Sequence, residues 1–232
     1  MNSDNPTKQI SLNLVAICIF GMTISSLVAP LINVSSTIPI GIIFAVIVGA
    51  TVDNFFLKST LATLVLDAIA SSNPAYRQRI IEHEAGHFLV AYLLDIPITG
   101  YTLSAWESIK AGRSAQGGVM FAAPETDISD RLLQNYCAVW MAGIAAEKSI
   151  YDRSEGGSED RQKLRGVLFR LGKQQQDIVQ QENLASMRAK TLIQTHGDAY
   201  QALVIAMQNR DPIADCCQQI ERLKLASEAD RI

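Results

Sequence analysis

Charge is the first thing this sequence lacks. From Gln9 through Val52 there is no Asp, Glu, Lys or Arg. That excludes an ordinary solvated globular surface for the stretch. Histidine is scarce too, with three in 232 residues. The four cysteines form no Cys-x-x-Cys, and two of them, Cys216 and Cys217, are adjacent. Adjacent cysteines rarely bridge to each other, so reduced and mostly buried thiols are expected rather than a disulfide scaffold. A formal net charge of −3 supplies no basic footprint and argues against nucleic acid as a partner. No internal repeat or low-complexity segment is present.

The uncharged segment is too long for a signal-peptide core and lacks a strongly basic start. It divides into two apolar runs, Ile10–Ala29 and Ile40–Leu57, separated by Pro30, Asn33, Ser35, Ser36, Thr37 and Pro39. A membrane span needs roughly 20 apolar residues. Residues 10–57 therefore read as a transmembrane hairpin, after a short tail over 1–9 and before a charged domain over 58–232. The competing reading is a pair of helices buried in a soluble core. Asn13, Ser25 and Asn33 favour it, because polar groups cost free energy in hydrocarbon. Lys8 precedes the first run, and Lys58, Arg77 and Arg79 follow the second. The positive-inside rule then places both ends, and the domain, in the cytoplasm or a plastid stroma.

The domain reads as mostly helix with a small sheet. Asn73 and Pro74 are good N-cap and first-turn residues for a helix that ends near Asp95, since Pro97 disfavours helical geometry at Ile96. Ile98–Leu103 and Gly118–Phe121 look like short strands joined by a polar loop. Four helical stretches follow: from the acidic segment after Pro124 through Ile150, over Arg161–Leu171, over Ile178–Thr195 and over Asp198–Gln208. A last one starts at Pro212 with Asp211 as its cap.

Two of the three histidines fall in "HEAGH", residues 83–87. Positions four apart on a helix lie one above the other. His83 and His87 can therefore offer nitrogens to one zinc ion. Glu84, one residue on, stands beside the metal without having to coordinate it. Zinc in such a site lowers the pKa of a water to about 7, and a neighbouring carboxylate can take that water's proton and pass it to a leaving amine. The plain alternative is two solvent-facing histidines on an amphipathic helix, because a bare His-Glu-x-x-His is a short pattern.

A catalytic zinc needs three protein ligands. His196, before Gly197, reads better as a helix C-terminal residue. Two carboxylates compete: Glu147 in "MAGIAAEKSI", and Asp160 in "EGGSED". Gly156 and Gly157 permit a tight turn there, Ser158 can cap, and Asp160 falls in the first turn of the next helix, where the dipole favours its charge. Spacing alone leaves both open.

From about Arg79 to Glu221 the chain resembles the protease domain of FtsH, the membrane-bound AAA+ zinc protease. "HEAGH", "GGVMFAAPE", "MAGIAAEKSIYD", "EGGSEDRQKL" and "MRAKTLIQTHGDAYQALVIAMQNRDPI" occur in the family's order. The resemblance implies a mainly helical fold with a small sheet. It implies His83, His87 and Asp160 as zinc ligands and Glu84 as base, with Glu147 as a supporting carboxylate. It also implies that the edge at Gly117, Gly118, Val119 and Met120 pairs with an extended polypeptide substrate. The chain departs from the family in having no GxxxxGK[ST], so the ATPase motor is absent. Glu159 also stands where the family usually has asparagine, and Ala142-Gly143 replaces a Gly-Gly pair. The resulting expectation is a membrane-anchored zinc metalloendopeptidase acting on unfolded or loosened polypeptide. Its partners would be membrane lipid, a separate FtsH-type ATPase or protease, or copies of itself. A non-catalytic scaffold is the alternative. Intramembrane proteolysis fits poorly, because the motif helix carries too many charges.

Overall fold

The computed structural model describes residues 72–112, 117–122 and 129–229, with the earlier positions 16, 19–24, 27, 38, 41, 42, 45, 64, 67 and 68. The chain forms two compact units, one of residues 1–74 and 104–116, the other of 75–103 and 117–232.

In the first unit, the described positions before residue 70 are helical. Most of the expected hairpin over 10–57 lies outside the described residues. Among those described, no helix is long and apolar enough to cross a membrane. The expected polar loop after the first strand holds a short helix at Ala105–Lys110, which we call α2. Ser104 and Glu107 stand in capping-box spacing, and the Ser104 side chain accepts the Glu107 N–H at 3.2 Å. The Ala105 N–H donates to Asp67 at 3.0 Å.

The second unit is mainly helical. Helix α1 is Pro74–Leu93; strand β1 is Ile98–Thr102 and strand β2 is Gly118–Phe121. Then come α3 (Asp130–Tyr151), α4 (Ser158–Arg170), α5 (Gln175–Thr195), α6 (Gly197–Gln208) and α7 (Ile213–Ala229). The two strands pair antiparallel, with a bulge between Ile98 and Gly100.

Helix α1 stops where Pro97 forbids its continuation. Asp95 turns left-handed at φ 56°, and Ile96 donates back to the Ala91 carbonyl at 2.9 Å. From Ile81 to Ala91 nearly every side chain of α1 is buried. The helix is therefore a core element, and the solvent-facing histidine reading is excluded: His83 is 8% exposed and His87 5%.

Helix α3 lies against α1 because both carry small residues at the crossing. A Cβ on Gly86 would meet the Ala142 carbonyl oxygen and the Ala146 Cβ at 2.8 Å each. Phe88, Leu89 and Val90 of α1 share a core with Ala138, Ala142 and Ala146 of α3, Ile193 of α5, Leu203 and Met207 of α6, and Ile220 of α7. A second cluster, on the other side of α3, joins Met141 and Ile144 to Leu164, Leu168 and Ile178. Burial of these apolar side chains stabilises each by about 1.5–3 kcal/mol relative to exposure. The effect here is to fix α1 against α3 through the first cluster and α4 against α3 through the second.

Candidate metal centre

The two histidines project from one turn of α1, and their second ring nitrogens are already committed. His87 Nδ1 lies 2.7 Å from the Val139 carbonyl oxygen of α3. A carbonyl only accepts, so Nδ1 must carry the proton and Nε2 must present its lone pair. His83 Nδ1 lies 2.6 Å from Glu147 Oε1. That contact likewise turns His83 Nε2 outward from the carboxylate.

Both free nitrogens meet the same atom. His83 Nε2 and His87 Nε2 each stand 3.4 Å from Asp160 Oδ2. Metal–ligand bonds of about 2.0–2.1 Å in a tetrahedron separate neighbouring ligand atoms by about 3.3–3.4 Å. The three ligand atoms all lie within 4.8 Å of one another, so the group can hold a metal ion. Among the described residues, His196 has no part in it; it caps the end of α5.

Asp160 arrives by way of a bend. The chain leaves α3 through Asp152 at φ 59° and enters α4 through Gly157 at φ 82°. Ser158 does not cap α4 as expected. It is the first helical residue, and Gly157 is the cap, with no side-chain hydrogen bond. The left-handed turn and the Ile144 side chain leave no room for a Cβ at Gly157. Asp160 then falls in the first turn of α4, as its carboxylate charge favours.

Glu147 is the residue that spacing could not separate from Asp160. It faces the far side of the His83 ring, 1% exposed. Besides His83 it accepts Arg79 Nε at 2.8 Å, the Glu155 N–H at 2.8 Å and the Gly156 N–H at 3.1 Å. Metal-ligating histidines commonly hand their second nitrogen to such a carboxylate, which fixes the ring's tautomer and raises its basicity.

The electrostatics favour a cation at the centre. Burial opposes charge on His83, but the Asp160 and Glu147 carboxylates outweigh it and push the ring's pKa well up. Burial likewise opposes charge on Asp160, but His87 and His83 hold its carboxyl far below the usual range. For Glu147, burial is outweighed by His83, the Glu155 N–H and Arg79, and its pKa is lowered. Two ionised carboxylates bracketing one imidazole stabilise positive charge, whether a proton or a metal supplies it.

Glu84 lies on the same turn, rotated toward the sheet. Its Oε2 accepts the Val119 N–H of β2 at 3.0 Å. Of the expected substrate edge, Gly118, Val119 and Met120 are in β2 and Gly117 immediately precedes it. The Val119 N–H that an added strand would use is held by Glu84.

Reading the sequence missed three supports. Arg79 sits one turn before His83 and joins Glu147 to Glu155. Tyr151 and Tyr200 both bond Glu82, through its carboxylate at 2.6 Å and its carbonyl at 2.7 Å. The Val139 carbonyl is backbone and leaves no trace in residue type. Arg79 alone had a signal, as a cation at helical spacing from His83.

No protein-family model matches the chain, and no curated protein matches it.

Proposed function

We propose that this chain is a membrane-anchored zinc metalloendopeptidase that cleaves unfolded or loosened polypeptides without a motor of its own. The observation that carries the reading is the convergence of His83 Nε2 and His87 Nε2 on Asp160 Oδ2 with Glu84 on the adjoining helical position. The ordered resemblance to the FtsH protease domain supports it independently. Two nitrogens and one carboxylate are the donor set of a catalytic rather than a closed structural zinc site.

A zinc ion held by His83, His87 and Asp160 supplies Lewis acidity, polarising a carbonyl and making water nucleophilic near neutral pH. The chain's own residues do the rest. Val139 and Glu147 hold the two imidazoles in the tautomer that presents Nε2. Glu84 takes the proton of the attacking water and returns it to the departing amine. Apart from the Val119 N–H that Glu84 holds, the outer edge of β2 offers backbone groups to an extended peptide, which aligns the scissile bond beside Glu84.

The uncharged run Gln9–Val52 supports an anchor in lipid, with the peptidase domain in the cytoplasm or a plastid stroma. Ile19, Phe20, Leu27, Ile38 and Ile42 each leave more than half of their surface exposed, as lipid-facing side chains do. A separate FtsH-type ATPase, or copies of this chain, would complete the assembly.

Zinc content and casein hydrolysis of wild type beside Glu84→Gln test the function. The expected result is stoichiometric zinc in both and hydrolysis in wild type alone. Zinc in both with hydrolysis in neither would favour a non-catalytic scaffold.

A further inference from the structure

Arg79 engages every nitrogen of its guanidinium, and its partners belong to two segments, α3 and the bend that follows it. Its Nε donates to Glu147 Oε2 at 2.8 Å on α3. Its Nη1 pairs with Glu155 Oε1 at 2.7 Å, and its Nη2 donates to the Arg153 carbonyl at 3.1 Å, both on the bend. Its Cζ lies 4.2 Å from the centre of the Tyr151 ring, over its face. The residue itself sits on α1, four positions before His83.

The bend over residues 153–156 belongs to no helix or strand. It hangs between the left-handed Asp152 and Gly157, and its backbone is tied by the Glu155 and Gly156 N–H groups to Glu147 and by the Arg153 carbonyl to Arg79. Asp160 follows four positions after the last residue of that bend. Glu147, held by Arg79 from one side, holds His83 Nδ1 on the other.

We infer that Arg79 is the positioning residue of the metal centre, a clamp that sets His83 through Glu147 and Asp160 through the 153–156 bend. The inference rests on the metal-binding reading above. It requires Arg79's planar fork, since one ammonium cannot reach Glu147, Glu155 and the Arg153 carbonyl together. A residue serving only to balance the charge of Glu147 would be replaceable by lysine.

The test uses the full chain in detergent, stripped of metal, with Zn²⁺ affinity read by competition against a chromophoric chelator. Arg79→Gln and Arg79→Lys are each expected to lose about 10- to 100-fold in Zn²⁺ affinity. The absorption bands of the Co²⁺-loaded protein are expected to change in both. The rise in Tm produced by saturating Zn²⁺ is expected to shrink, whereas a purely structural defect would lower metal-free and metal-loaded Tm together and leave that rise intact. If Arg79→Gln does not fold, Arg79→Lys and Glu155→Ala decide, the second being expected to weaken Zn²⁺ several-fold by freeing the bend alone. Wild-type affinity and Co²⁺ bands in Arg79→Lys would overturn the clamp. Wild-type Zn²⁺ affinity in Asp160→Ala and His87→Ala would instead overturn the metal reading itself, so the two failures are distinct.

Discussion

His83 Nδ1 and Glu147 Oε1 stand 2.6 Å apart across the interface of α1 and α3, in a place where Glu147 is 1% exposed. Truncation of Glu147 removes more than one contact. Glu147→Ala leaves the Glu155 and Gly156 N–H groups and Arg79 Nε without their acceptor. Loss of one partner from a buried ion pair costs roughly 3–5 kcal/mol, and Arg79's remaining bond to Glu155 puts the expected cost at the lower end. Glu147→Gln keeps the shape, so the expected effect is a loss of about 10- to 100-fold in zinc affinity with a smaller loss of stability. Isothermal titration and urea unfolding of the two variants check this. If Glu147 were instead the third metal ligand, Glu147→Gln would abolish zinc binding and Asp160→Ala would retain it.

The His83 ring also requires an absence. A Cβ on Gly143 would overlap His83, standing 2.6 Å from its Cε1. Gly143→Ala is therefore expected to rotate or expel the ring, destabilising the fold by about 1–3 kcal/mol and weakening metal binding. Gly166 is the contrast, in the interior of α4 with nothing within 4 Å of its would-be Cβ. Gly166→Ala is expected to stabilise the chain by about 0.5–1 kcal/mol with metal binding unchanged. Urea midpoints of both variants, with and without zinc, check the pair. An equal response at the two positions would contradict the close approach at His83.

The parts of this architecture that local chemistry dictates were legible in the sequence. Asn73-Pro74 and Pro97 bracket α1, and Gly118–Phe121 is the strand observed. Helix α2 escaped because its polar surroundings look like loop, although Ser104 and Glu107 carry a capping-box signal at the right spacing. The site was legible only in part, for a different reason. His83 and His87 belong to one turn, but Glu147 and Asp160 are 64 and 77 positions from His83. No periodicity reports a meeting over that separation. The resemblance to a known zinc site supplied Asp160, and the fold then assigned the opposite side of the ring to Glu147. Val139 acts through its carbonyl, so any residue type there would have read the same.

The thiols offer an independent check on packing. Cys137 is 1% exposed and Cys216 is fully buried. Burial pushes the Cys137 thiol up to about 11, and burial with the nearby Asp211 charge does the same for Cys216. Only the thiolate is nucleophilic, so the raised pKa and the burial both suppress reaction. Iodoacetamide at pH 8 is expected to leave both unmodified in the native chain and to label them in step with urea unfolding, as read by peptide mass mapping. Native-state labelling of Cys137 at the rate of the unfolded chain would contradict its place in the cluster with Met141 and Leu164.

Glu84 and Val119 supply the last prediction. The Val119 N–H reaches Glu84 Oε2 at 3.0 Å, which holds one carboxylate oxygen at the sheet and leaves the other to take a proton. Because this N–H is turned to Glu84, it takes no part in the ladder with β1. Proline is tolerated on an edge strand where its missing N–H faces away from the partner strand. Val119→Pro is therefore expected to keep the fold and the zinc, since the bonds that orient His83, His87 and Asp160 come from Glu147, Val139 and one another. On the proposed function Glu84 then loses its anchor as base, and a misplacement of about 1 Å at a reacting group can lower the rate roughly 100-fold. The expected outcome is a kcat on casein reduced between about 10- and 100-fold, with zinc content equal to wild type. Full kcat in a folded, zinc-loaded Val119→Pro would mean that Glu84 needs no support from β2, and that the outer edge is free for substrate alone.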